Sequence, residues 1–165
     1  MMFFHDGTVP ETVQPASLRG TALALVGGPL LRSQLDLFDA IESAGGRVVL
    51  NAAEPGERCL LPPLPVLLPG QPPLAALAGH YFDHSVDVFH RPNSRLYAWL
   101  GTRLGERGAR GIVLWVHVGC DLWRAEAASL REAFGLPVLV LDEHEARGVG
   151  QRDLTRLCAF VESLR

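Results

Sequence analysis

The chain has 165 residues, 48% of them hydrophobic and 20% charged, so it can build one domain with a real core but not two large ones. A mean hydropathy of +0.16 argues against disorder, which needs few apolar residues and much charge. The net charge of −3 leaves no footprint for nucleic acid or an anionic membrane, and no apolar run approaches the ~20 residues that span a bilayer. All 15 basic residues are arginine, which excludes any lysine nucleophile, Schiff base or P-loop lysine. Three cysteines, Cys59, Cys120 and Cys158, form no CxxC pair and cannot supply four thiolates to a metal or cluster.

Residues 1–18 contain Pro10 and Pro15 and no periodicity, and read as a flexible N-terminal arm without the basic start of a signal peptide. A cytoplasmic location is the resulting expectation. From 19 to 165 the pattern is that of a single α/β domain. Thr21–Val26 is a buried strand closed by a Gly27-Gly28 turn. Pro29 then suits the first turn of a helix carrying Leu31, Leu35, Phe38 and Ile41, stopped at Gly45-Gly46. Arg47–Asn51 is a second strand, completing a β-α-β unit expected to pair in parallel with a right-handed crossover.

Residues 52–73 hold seven prolines, a density that no helix or central strand survives. Leu60, Leu61, Leu64, Val66, Leu67 and Leu68 lie among them, so this long loop is expected to pack against the domain or a partner. A short helix is predicted over 74–81 and an irregular stretch over 86–91. Asn93 can cap a helix with Leu96, Trp99, Leu100 and Leu104 on one face, ending near Gly108. Gly111–Val118 is the plainest strand. Gly119-Cys120-Asp121 follows, with Asp121 as cap of a helix bearing Leu122, Leu130 and Phe134 up to Gly135. Leu136–Leu141 is the fourth strand, and a last helix places Leu154, Leu157, Cys158, Val161 and Leu164 on one stripe. The expectation is a Rossmann- or flavodoxin-like lobe: a four-stranded parallel sheet, order 2-1-3-4, with helices on both faces.

In such sheets, sites form beyond the carboxyl ends of the strands. Gly27 and Gly28 there are candidates for an anion on free backbone N–H groups, although GGP is not GxGxxG and Pro29 removes a donor. Cys120 falls between a buried strand and a helix start, where the dipole favours a thiolate that could ligate metal or attack an electrophile; packing is the plainer alternative. Cys158 reads as core, and Cys59 as an incidental loop thiol. His80 and His84 are spaced i, i+4 and could share a metal face on a continuous helix, though that helix is not secure and a surface cluster is the commoner explanation. His117 could be a core histidine or a ligand, and the acidic turn Asp142–Glu145 is a minor candidate.

Several segments together resemble one family. Gly27-Gly28-Pro29 after the first strand, Gly45-Gly46-Arg47-Val48-Val49 opening the second, Gly56-Glu57-Arg58, Arg95 on a helix, Gly111-Ile112-Val113 before Gly119-Cys120-Asp121, Glu126, and Leu136–Asp142 are similar to 2-hydroxyacyl-CoA dehydratases and benzoyl-CoA reductases. The run Gly150–Glu162, with Gly150-Gln151, Thr155-Arg156, Ala159-Phe160 and Glu162, resembles that family's closing signature and is the most specific piece. The resemblance runs from about Arg19 to Arg165 and corresponds to the C-terminal lobe of a two-lobe family subunit.

By that resemblance, family subunits hold an iron–sulfur cluster with cysteines from both lobes, receive an electron from an ATP-dependent activator, and remove water from a 2-hydroxyacyl-CoA through a ketyl radical. Cys120 matches the cluster ligand of the C-terminal lobe, while Cys59 and Cys158 match no ligand position. A 4Fe-4S cluster therefore requires ligands from a partner chain, and the isolated chain is not catalytically complete. Three readings stay open. One is a one-lobe relative within an iron–sulfur-dependent dehydratase (lyase) assembly, with a second lobe or subunit, or a homodimer, meeting the loop at 60–74. Another is a binding or assembly module that kept the fold and lost the cluster. The third is a small enzyme using Cys120 as nucleophile near His117.

Overall fold

The computed structural model describes residues 19–54, 56–64, 66–67, 69–143 and 148–165. Four strands, β1 (Thr21–Pro29), β2 (Gly46–Glu54), β3 (Gly111–His117) and β4 (Val138–Glu143), form one parallel sheet in the order β2-β1-β3-β4. Five helices connect and follow them: α1 (Asp36–Ser43), α2 (Pro73–His84), α3 (Ser94–Arg107), α4 (Asp121–Phe134) and α5 (Gln151–Ser163). Fold class and strand order are those expected from the alternation of short apolar runs with helical stripes. No helix among the described residues is long and apolar enough to cross a membrane.

Period-two alternation splits each central strand between two cores. Ala24, Val26, Ile112, Leu114 and Val116 pack with Leu96, Leu100 and Leu104 of α3 and with Trp123 and Leu130 of α4. Leu23, Leu25, Val113 and Trp115 face the other way, onto Leu37 and Ile41 of α1 and Leu157 and Val161 of α5. Since both faces are covered, the strands read as unbroken apolar runs.

Three local expectations are corrected. The Gly27-Gly28 pair lies inside β1 rather than in a turn, and Pro29 closes the strand. A 3-10 turn at Arg32–Gln34 comes next, and α1 starts only at Asp36. The helical stripe is therefore Leu37 and Ile41, while Leu31 and Leu35 are exposed. The glycine is required here because Gly27 has φ +139°, and a Cβ would stand 2.0 Å from the Trp115 carbonyl oxygen. In α5, Cys158 points to solvent, because Leu157, Val161 and the following Leu164 supply the buried stripe. The fourth strand begins two residues later than expected, at Val138, so that Leu136 and Pro137 stay outside it. The N-terminal arm and residues 144–147 of the acidic turn lie outside the described residues.

Candidate functional site

The strands end together along one edge of the sheet, and that edge carries the polar chemistry. At the end of β3 a tight turn runs His117-Val118-Gly119-Cys120, closed by the Cys120 N–H donating to the His117 carbonyl at 3.0 Å. Gly119 takes φ +83° at the third position, the conformation that turn requires and a side chain resists. The turn delivers Cys120 to the N-cap of α4 as a free thiol, half-buried against the α3/α4 core. Asp121 is thus the first residue of the helix rather than its cap. Beside it, His117 Nε2 lies 2.7 Å from the Pro29 carbonyl, tying the ends of β3 and β1. Gly28 leaves the room for that ring, since a Cβ there would come within 3.2 Å of His117 Cδ2. Gly28 and His117 are therefore neighbours on the same edge, with Cys120 three residues beyond His117. The first turn of α1, which follows the 3-10 turn, carries two carboxylates, Asp36 and Asp39.

The ends of β1 and β2 are organised by Arg58, which the family resemblance includes but to which the sequence assigns no role. After Glu54 the chain hooks back tightly: Gly56 N–H donates to the Ala53 carbonyl, and a Cβ at Gly56 would lie 2.3 Å from the Asn51 oxygen. The hook aims Arg58 inward, where its side chain is 1% exposed. Nε donates to the Ala52 carbonyl at 2.7 Å, Nη2 to the Gly27 carbonyl at 2.9 Å, and Nη1 to the Val86 carbonyl at 2.7 Å and to the Asp87 carboxylate. The guanidinium carbon lies 5.0 Å from the centroid of the Trp123 ring on α4. One cation thus joins two strand ends, the segment after α2, and the helix that carries Cys120.

A second buried cluster stands behind it. The Glu126 carboxylate, buried on α4, accepts from Asn93 Nδ2 at 2.5 Å, Tyr97 Oη at 2.5 Å and Arg91 Nη1 at 3.3 Å. Burial, reinforced by the Glu126 hydrogen bond and charge, pushes the Tyr97 phenol up to about 12. Asn93 occupies the N-cap of α3 as expected, but its side chain is given to Glu126 and does not cap.

Arg58 and Asp87 form the inner wall of a groove of about 720 Å³, whose other sides include Cys59, Tyr81, Phe89 and His90. Cys59 is an exposed thiol on this wall, outside the turn that holds Cys120. His80 and His84 do share a continuous helix with ring centroids 4.4 Å apart. Yet His80 Nε2 is engaged with the Pro62 carbonyl and His84 Nδ1 with the His80 carbonyl. Asp142 pairs with Arg124 at 2.7 Å. Among the described residues, no three His, Cys, Asp or Glu side chains come together in a way that could hold a metal ion. A complete iron–sulfur cluster therefore does not fit the donors described in this chain. Of the three free thiols, Cys120 is half-buried against the α3/α4 core, and Cys59 and Cys158 are exposed.

A family model described as 2-hydroxyglutaryl-CoA dehydratase, D-component, matches residues 8–164, nearly the whole chain. No curated protein matches it.

Proposed function

Given that the chain belongs to the 2-hydroxyglutaryl-CoA dehydratase D-component family, we propose that it is the one-lobe component of an iron–sulfur-dependent acyl-CoA dehydratase assembly. In this reading Cys120 supplies one ligand and a partner chain supplies the rest. The observation that carries it is the presentation of Cys120: a free thiol at a helix N-terminus, half-buried, on the carboxyl edge of a parallel sheet, held by a glycine-dependent turn. His117 and Gly28 border that position and would shape the approach of any group bound there, while Arg58 fixes the helix that carries it. No reaction step is assigned to this chain alone, since its described donors do not complete a cluster.

The solitary thiol also suits a second reading, a module that kept the fold and serves assembly without a cluster. One experiment separates the two. The chain is co-expressed anaerobically with a subunit, encoded beside it, that carries the other lobe, and the complex is assayed for iron and visible absorption. Iron bound to the wild-type complex and lost in Cys120→Ser, with the complex intact, is the expected result. Iron retained unchanged in Cys120→Ser overturns the ligand role. A colourless wild-type complex, or a gene neighbourhood without any such subunit, overturns the cluster reading in favour of the assembly module.

A further inference from the structure

Helix α2 is turned inside out. An amphipathic helix normally buries its apolar stripe and exposes its polar face. Here the residue that goes inward is His80, 8% exposed, whereas Leu74 is 78% and Tyr81 58% exposed. Leu74, Leu77, Ala78 and Tyr81 recur at i, i+3, i+4 and i+7, so they form one stripe, and it faces solvent. The loop leading into the helix adds Leu60, Leu64, Val66 and Leu67, all exposed. From Cys59 to Phe82 the sequence contains no Asp, Glu, Lys or Arg. Among the described residues α2 makes few contacts with other elements, so its packing within the domain does not explain its composition.

We propose that this stripe is a self-association surface: α2 pairs antiparallel with α2 of a second copy of the chain. Three features select a second copy as the occupant. The stripe is complementary to itself when reversed, because a two-fold axis between Leu77 and Ala78 sets Leu77 of one copy against the small Ala78 of the other, and Leu74 against Tyr81. A seam with no formal charge meets its own copy without like-charge repulsion, and the charges near it, Glu54 and Arg91 around the groove with Tyr81 and Arg95 against Asp83, gather at the C-terminal end of α2 and carry both signs. Eight large apolar residues of the stripe and loop, Phe82 included, are each 38–94% exposed, an apolar surface on the order of the ~800 Å² per partner of a stable interface. The pairing is independent of any cluster at Cys120, which is held on a different helix.

The test is the mass of the intact chain in solution, by light scattering and sedimentation at micromolar concentration. The expected value is twice 17.9 kDa, falling to the monomer in Leu77→Arg and in Leu74→Glu. Both positions lie on the outer face, so circular dichroism and melting temperature should match wild type, which separates lost pairing from lost folding. Mixing Leu77→Arg with Leu77→Glu copies should restore the dimer, because the two substituted seams then carry opposite charges across the axis. A monomeric wild-type chain overturns the proposal, and so does a dimer that survives both substitutions. Failure of the mixed copies to re-associate overturns the antiparallel register.

Discussion

Replacing Arg58 by methionine keeps most of the aliphatic stem and removes the guanidinium. The loss can be worked from its partners. Asp87, a fifth exposed, would keep a charge with no counterion, and the Ala52, Gly27 and Val86 carbonyls would each lose a donor in buried surroundings. Breaking one side of a buried ion pair costs about 3–5 kcal/mol, and an orphaned polar group about 1–3. These costs overlap rather than add, because the carbonyls share one donor and Asp87 can still reach water. The expected loss is therefore about 4 kcal/mol by urea unfolding. For a chain of this size that corresponds to a fall in Tm of roughly 8–16 °C. Arg58→Lys should recover only a minor part, since one ammonium cannot serve four acceptors in a fixed fork. Adding Asp87→Asn to Arg58→Met should return about 1–2 kcal/mol, because the abandoned partner is then neutral. A loss below about 1 kcal/mol in Arg58→Met, or no coupling with Asp87, would refute the view that this cation holds the strand ends together.

Three further outcomes follow from the same geometry. Gly27→Ala should destabilise by more than about 3 kcal/mol, given its φ of +139° and the 2.0 Å approach to the Trp115 oxygen, whereas Gly28→Ala, at 3.2 Å from a movable imidazole, should cost under about 1 kcal/mol; paired denaturation curves decide. The Tyr97 phenol is raised to about 12 against 10 in the unfolded chain, so the folded state holds its proton more tightly. That stabilisation is complete below pH 10 and is lost as pH rises from 10 to about 12. Unfolding free energy measured against pH should fall across that window, and Tyr97→Phe should flatten the fall. Under native conditions a thiol reagent followed by mass spectrometry should modify Cys59 and Cys158 first and Cys120 last, matching their exposure. Cys120 reacting ahead of the two exposed thiols would instead support the nucleophile reading.

The sheet and its order were legible because the strands are buried on both faces, and continuous apolar runs such as Ile112–Val116 leave little else to be. Gly108 and Gly135, both in the left-handed conformation after α3 and α4, likewise punctuate the helices where their residue type implies. The first helix differs from its expected start because Leu31 and Leu35 mimic a helical stripe, while the positive-φ Gly27 and Pro29 carry β1 three residues further than Val26. The placement of Cys120 at a strand-to-helix junction could be read from flanking residues alone. Arg58 could not: its role depends on carbonyls 6, 28 and 31 positions away along the chain. The role of Glu126, a residue the resemblance includes, is equally illegible, since its partners lie 29 to 35 positions earlier. Periodicity reports burial of a face. It says nothing about which buried acceptors converge on one donor.

The bond from Arg58 to Val86 and Asp87 has an architectural consequence. It ties the chain just after β2 to the segment just after α2, so that the stretch between Cys59 and Ser85 is fastened at its root, with Arg95 Nη1 on the Asp83 carbonyl as a further tie. Such a clasp decouples the appendage from the scaffold: it can be shortened, lengthened or exchanged for another without re-registering any strand. A splice of Arg58 to Val86 through a brief glycine linker should accordingly leave an intact four-stranded lobe, stripped of whatever associations the appendage provides.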